Sequence, residues 1–202
     1  MQHSLSPVVN FLYEAGMLAD IPRSGFAFLG SGRQSVAEHS FRVALTAYAL
    51  AHLAQVKIDK YKLMMLCLLH DLPEARIGDL NYVQKKYVTP HLDKALQDIE
   101  SASPLGVELV ELIKEYEEGS SLEAQLAQDA DQLELLLMLK REEEQGNQRA
   151  TEWFKNAVKR LKSPAALQLA EAIAQTDSDH WWMGDRTDSH WIDGGKSKNG
   201  LK

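Results

Sequence analysis

The sequence predicts an all-α fold, a compact multi-helix bundle around a central buried helix that carries a His-Asp pair. Three observations carry that expectation. Apolar residues recur at the helical interval in one segment after another. No segment of useful length alternates with period two, and β-branched residues do not cluster. Helix-start chemistry, a small polar or acidic residue ahead of a proline or three residues ahead of a glutamate, punctuates the chain throughout.

Taken in order, Val8, Phe11, Leu12, Ala15 and Leu18 place a helix over Pro7–Leu18, with Ser6 as its cap and Pro7 at its first position. Residues 19–34 hold Pro22, Gly25, Gly30 and Gly32 and read as a loop, in which Arg23 and Arg33 flank Phe26 and Phe28. Ser35-Val36-Ala37-Glu38 has the form of a capping box, and a helix follows to about Gln55. His39 lies in its first turn, on a face continued by Val43, Ala47 and Leu50. Asp59 caps the next helix, Lys60 to about Asp71, which is apolar around most of its circumference and therefore central. Thr89-Pro90 and Ser103-Pro104 open two more helices, the second ending near Gly119. Ser120-Ser121-Leu122-Glu123 offers a second capping box, for a long helix striped by Leu126, Ala130, Leu133, Leu137 and Leu139 and stopped by Gly146-Asn147. Helices over about Arg149–Leu161 and Pro164–Thr176 complete a single domain, 1–176. The tail, 177–202, carries Trp181, Trp182 and Trp191, expected to pack onto the core or a partner chain, and its last residues have a composition that suits disorder.

At 202 residues the chain can bury a substantial core within one domain. Its 29 acidic against 22 basic residues give a formal charge of −7, which disfavours a nucleic-acid polymer as partner but leaves a small anionic substrate open. The single cysteine, Cys67, cannot form an intramolecular disulfide and suits a reducing, cytoplasmic setting. No signal peptide is visible over Met1–Pro7, and no apolar window has the length of a membrane span.

The chemistry centres on Leu66-Cys67-Leu68-Leu69-His70-Asp71-Leu72-Pro73-Glu74. An apolar run ends there in an imidazole and a carboxylate side by side, and burying such groups is costly unless they are paired or bind an ion. His39 and Asp131 also fall where the pattern turns inward. Two imidazoles and two carboxylates suit Mn²⁺, Fe²⁺, Co²⁺ or Zn²⁺. Such an ion polarises a phosphoryl oxygen and lowers the pKa of a bound water, which is what phosphate-ester hydrolysis requires. Taken singly, each position has an ordinary explanation: a hydrogen-bonded core histidine, or, for Asp131 two residues after Asp129, a solvated helix edge.

The order of these residues, a histidine, a His-Asp pair about thirty residues on and an aspartate about sixty later, resembles the HD-domain phosphohydrolase superfamily. Val36-Ala37-Glu38-His39-Ser40, Leu69-His70-Asp71-Leu72-Pro73-Glu74-Ala75, Gly78-Asp79 and Gln128-Asp129-Ala130-Asp131-Gln132-Leu133-Glu134 look like the signature blocks of one branch, that of bacterial 5'-deoxynucleotidases and a related human HD-domain-containing protein. Arg23-Ser24-Gly25-Phe26 resembles that branch's arginine loop. The resemblance implies one divalent ion held by His39, His70, Asp71 and Asp131. It implies that Glu74 assists proton transfer, that Asp79 contacts the substrate, and that Arg23 binds phosphate, with Glu115 and Arg33 as further substrate contacts. The activity it implies is release of phosphate from (deoxy)nucleoside 5'-monophosphates, usually by a homodimer. Hydrolysis of nucleoside triphosphates or cyclic nucleotides, or nucleotide binding without catalysis, are the alternatives on the same fold. One position departs from the branch: Ser24 stands where the bacterial enzyme has a tryptophan, with Phe26 as the aromatic in reserve, so base and sugar selectivity does not carry over.

Overall fold

A computed structural model describes residues 4–195, and the expected disorder of the last residues falls largely outside that range. Its helices are α1 (Ser6–Gly16), α2 (Phe26–Leu29), α3 (Val36–Leu53), α4 (Lys60–Leu69), α5 (Glu74–Ile77), α6 (Leu92–Ala102), α7 (Gly106–Glu118), α8 (Leu122–Glu144), α9 (Gln148–Val158), α10 (Pro164–Gln175), α11 (His180–Met183) and α12 (Ser189–Asp193). Among the described residues there is no strand, only an isolated antiparallel bridge between Pro22 and Ser35. No described helix is long and apolar enough to cross a membrane.

Most helix starts follow the local chemistry. Ser35 Oγ accepts from the Glu38 N–H while the Glu38 carboxylate accepts from the Ser35 N–H, the reciprocal box expected there. Asp59 accepts from the Lys62 N–H and starts α4. Two starts differ. Ser6 lies inside α1 and does not cap it; its N–H donates to Ser4 Oγ instead. α8 is capped by Ser121 through the Ala124 N–H, and Glu123 does not reach back. Its carboxylate accepts from the Asp59 N–H and pairs with Lys62, so it ties α8 to the start of α4. Asp129, inside α8, is buried and accepts from the N–H groups of Lys162 and Ser163, which seats the start of α10.

α3, α4 and α8 pack against one another in a triangle, with α9 and α10 laid on α8 and α7 on α4. The larger core cluster fills this triangle, around Val43, Leu50, Leu63, Leu66, Leu133 and Leu136. A second cluster, with Leu18, Val36, Leu69, Leu72, Ile99 and Ile113, joins the chain around α4's end to α6 and α7. α4 has helices on several sides but leaves Leu68 partly exposed, while the long α8 runs through most of the core. The tail tryptophans do not enter either cluster. Trp182 and Trp191 stack edge-to-face at 5.3 Å, and Trp181 is 86% exposed. The two tail helices are single turns, too short to lay a continuous apolar face on the bundle.

Candidate metal centre and active site

The triangle of helices brings three of the expected ligands to one point. His39 is fully buried in the first turn of α3, His70 closes α4 as its C-terminal cap, and Asp131 projects from α8. One donor atom from each lies within 4.8 Å of the other two. Asp71 follows His70 in the turn before Pro73, and its Oδ2 is 3.2 Å from His70 Nε2 and 3.7 Å from His39 Nε2. His39 Nε2 lies 3.0 Å from Asp131 Oδ1, off the line of a hydrogen bond.

Both imidazoles are oriented by what Nδ1 faces, which leaves Nε2 as the atom a metal would take. His39 Nδ1 is 2.8 Å from Glu134 Oε2, and His70 Nδ1 is 2.8 Å from the Cys67 carbonyl oxygen. Carbonyl and carboxylate oxygens only accept, so each Nδ1 carries a proton, and Nε2 is the atom left to ligate once it gives up any proton of its own. Those two Nε2 atoms are buried and have no hydrogen-bond partner. Bonds of about 2.1 Å at right angles around one ion separate adjacent donors by about 3 Å, which is the spacing of the His39–Asp131 and His70–Asp71 pairs. The residues present therefore fit a divalent ion.

The electrostatics follow from crowding. Burial disfavours a charged Asp131, but His39, His70 and Arg23 outweigh it and hold the carboxyl below the usual carboxylate range. Burial likewise disfavours a charged Asp71, and His70, His39 and Arg23 together reverse the effect. His39, depressed by burial, is pushed up to about 9 by Asp131 and Glu134. Glu74 goes the other way. Burial, then the charges of Asp71 and Asp79, raise its carboxyl to about 8, and its Oε2 is buried without a partner.

Arg23 reaches this cluster from the loop before α2: its guanidinium is 3.3 Å from Asp71 Oδ2 and 3.8 Å from Asp79 Oδ2. Asp79 also accepts from the Ser24 N–H at 2.9 Å, so it anchors the loop that carries Arg23. Among the described residues, Ser24 Oγ is the remaining buried side-chain atom with no partner. Phe26, the aromatic of this loop, packs against the core cluster, and Gly25 gives room to the Trp153 ring.

Two expected contacts are not brought to the cluster. Arg33 is exposed, near Glu38. Glu115 bonds to Lys62 Nζ at 2.8 Å and to Ser121, and no ion pair or hydrogen bond joins it to the ligand set. Its neighbour Tyr116 does reach the site, with its ring 4.8 Å from that of His70.

Sequence reasoning assigned no role to Glu134, Gln34 or Arg42. Glu134 Oε1 accepts from Gln34 Nε2 at 2.8 Å and from Arg42 Nε at 2.6 Å. The signal was a glutamate following the apolar stripe residue Leu133 on a helix otherwise buried along that face, one turn beyond Asp131.

A family model described as HD domain matches residues 15–173. The human 5'-deoxynucleotidase HDDC2 is 27% identical over 179 residues, covering 85% of this chain and 86% of that protein. A conserved hypothetical protein from Pyrococcus furiosus superposes with a TM-score of 0.73 at 31% identity, covering 83% of this chain and 99% of that one. The HD phosphohydrolase DatZ of cyanophage S-2L, whose structure holds dA and one catalytic Zn²⁺ ion, superposes with a TM-score of 0.53 at 25% identity, covering 81% and 96%.

Proposed function

The chain belongs to the HD-domain family, and from that premise we propose that it is a metal-dependent phosphomonoesterase releasing phosphate from (deoxy)nucleoside 5'-monophosphates. The observation that carries this reading is the pair of buried, partnerless Nε2 atoms of His39 and His70, facing the carboxylates of Asp131 and Asp71. The relatives named 5'-deoxynucleotidase and the dA-bound phage protein support the substrate class.

His39, His70, Asp71 and Asp131 would hold the ion. When bound, it supplies Lewis acidity, polarising a phosphoryl oxygen and lowering the pKa of water. Arg23 binds the phosphate, since a planar guanidinium offers paired donors to two of its oxygens. Asp79 holds the Arg23 loop in place. Glu74, kept protonated by burial and by its acidic neighbours, donates its proton to the departing 5' oxygen. Ser24 Oγ, buried beside Arg23 without a partner, adds a hydroxyl to the substrate side.

A homodimer and a cytoplasmic setting complete the proposal. Phe41, Leu45 and Tyr48 occupy one face of α3, each more than half exposed, and the tail tryptophans offer further apolar surface. Light scattering tests the dimer, and a mass of 22.7 kDa refutes it.

The activity is tested with metal-free protein given Mn²⁺, Co²⁺ or Zn²⁺ and a panel of nucleoside mono-, di- and triphosphates. Free phosphate from 5'-monophosphates is expected. Pyrophosphate or tripolyphosphate from triphosphates alone, or turnover unaffected by chelator, would overturn the reading.

A further inference from the structure

Glu134 is a glutamate in the middle of the core, 1% exposed, with three donors converging on it. One of its oxygens takes His39 Nδ1–H; the other takes Gln34 Nε2–H and Arg42 Nε–H. Gln34 is itself bonded to the phosphate-side loop, its backbone carbonyl accepting from the Arg23 N–H at 2.8 Å. The Pro22–Ser35 bridge and the Val36 N–H bond to the Ile21 carbonyl close the same neck. A single carboxylate thus touches a ligand histidine on one side and the base of the Arg23 loop on the other.

We propose that Glu134 is a positioning residue for the metal centre, fixing through His39 the tautomer that can ligate and seating through Gln34 the loop that carries Arg23. The proposal rests on the metal-centre reading above. Its physical content lies in the donor count. A carboxylate accepts from all three donors, and Arg42 balances its charge. A glutamine at 134 has one accepting oxygen and one NH₂. With the oxygen toward His39, the NH₂ opposes two other donors. With the NH₂ toward His39, Nδ1 must give up its proton and Nε2 must keep one, which blocks the ligating atom.

The test uses the full chain and measures the Zn²⁺ dissociation constant by chelator competition. Glu134→Gln is expected to weaken binding about 10–100-fold, and Glu134→Asp, which keeps the carboxylate, to recover most of that loss. Gln34→Ala leaves the His39 bond intact, so it is expected to keep metal affinity while raising KM for the nucleotide. In the Zn²⁺-loaded wild type, the His39 Nδ1 proton is expected as a downfield, exchange-protected resonance. That last measurement needs no variant to fold. A Glu134→Gln protein that binds Zn²⁺ as tightly as wild type, or a His39 Nδ1 proton that exchanges freely, overturns the proposal. Wild-type protein that binds no ion overturns the metal-centre reading itself, a distinct result.

Discussion

His39 is held between two carboxylates, with Nδ1 2.8 Å from Glu134 Oε2 and Nε2 3.0 Å from Asp131 Oδ1. Against the cost of burial, they raise its pKa from 6.5 to about 9 in the metal-free protein. At neutral pH the imidazole is therefore protonated, and an ion that takes Nε2 must displace that proton. Binding is expected to release at least one proton, and apparent affinity to rise roughly tenfold per pH unit up to about 9, then level off. The folding linkage has the same origin. A pKa raised in the folded state contributes stability that is complete below 6.5 and lost as pH climbs through about 9. The melting temperature of metal-free protein should fall across that window. Calorimetric titration in buffers of different ionisation heat measures the proton release, and metal binding without it refutes the argument.

Glu74 differs from Asp71 and Asp131 in being protonated where they are ionised. Its carboxyl, at about 8, suits proton donation to an alkoxide leaving group. Glu74→Gln is expected to lower kcat about 10²–10⁴-fold on a nucleoside 5'-monophosphate while leaving bound metal unchanged. On p-nitrophenyl phosphate, whose phenolate departs without a proton, the loss should be much smaller. Equal losses on the two substrates would remove Glu74 from the role.

In the proposed mechanism Asp79 acts on the substrate side through Arg23 and Ser24. A hydrogen bond to a charged acceptor contributes about 1.5–3 kcal/mol, and the Ser24 N–H bond at 2.9 Å holds the arginine loop where the phosphate would sit. Asp79→Ala is expected to raise KM for the nucleotide about tenfold or more with metal affinity unchanged. A drop in metal affinity instead would mean that Asp79 supports the ligands.

What was legible in the sequence is what depends on neighbours in the chain or on a recognised order of residues. The Ser35–Glu38 box and the Asp59 cap are decided within four residues, and both form. The box at Ser120–Glu123 does not form, because Glu123 finds Lys62 and the Asp59 N–H, about sixty residues away, better partners than its own helix start. His39, His70, Asp71 and Asp131 were picked out as ionisable groups in apolar surroundings, and they converge. Glu134 has the same character but no place in a ligand pattern, and its partners Gln34, His39 and Arg42 are 92 to 100 residues away. Its position after Leu133, one turn beyond Asp131, marks it as inward-facing but does not say what it binds. The tail tryptophans were expected to find the core or a partner chain, and within this chain two of them find each other.

The crossing of α6 and α7 offers a last prediction, on the wall behind His70. A Cβ at Gly106 would stand 2.2 Å from the Glu100 carbonyl oxygen and 2.6 Å from that of Ile99. Both are backbone atoms of α6, so no side chain can turn aside, and an alanine there must push the two helices apart. α7 carries Tyr116 against the His70 ring, so the displacement is expected to reach His70. Gly106→Ala is expected to cost about 1–3 kcal/mol, a fall of roughly 2–12 °C in Tm for a chain of this size, with weaker metal binding. Gly16 is the contrasting case: it has ordinary helical geometry, and a Cβ would meet nothing within 4 Å. Gly16→Ala should therefore raise Tm slightly, since alanine favours the helix by up to about 1 kcal/mol. Calorimetry on the two variants separates close helix packing from glycine content, because a common shift in both would rule out the crossing as the cause.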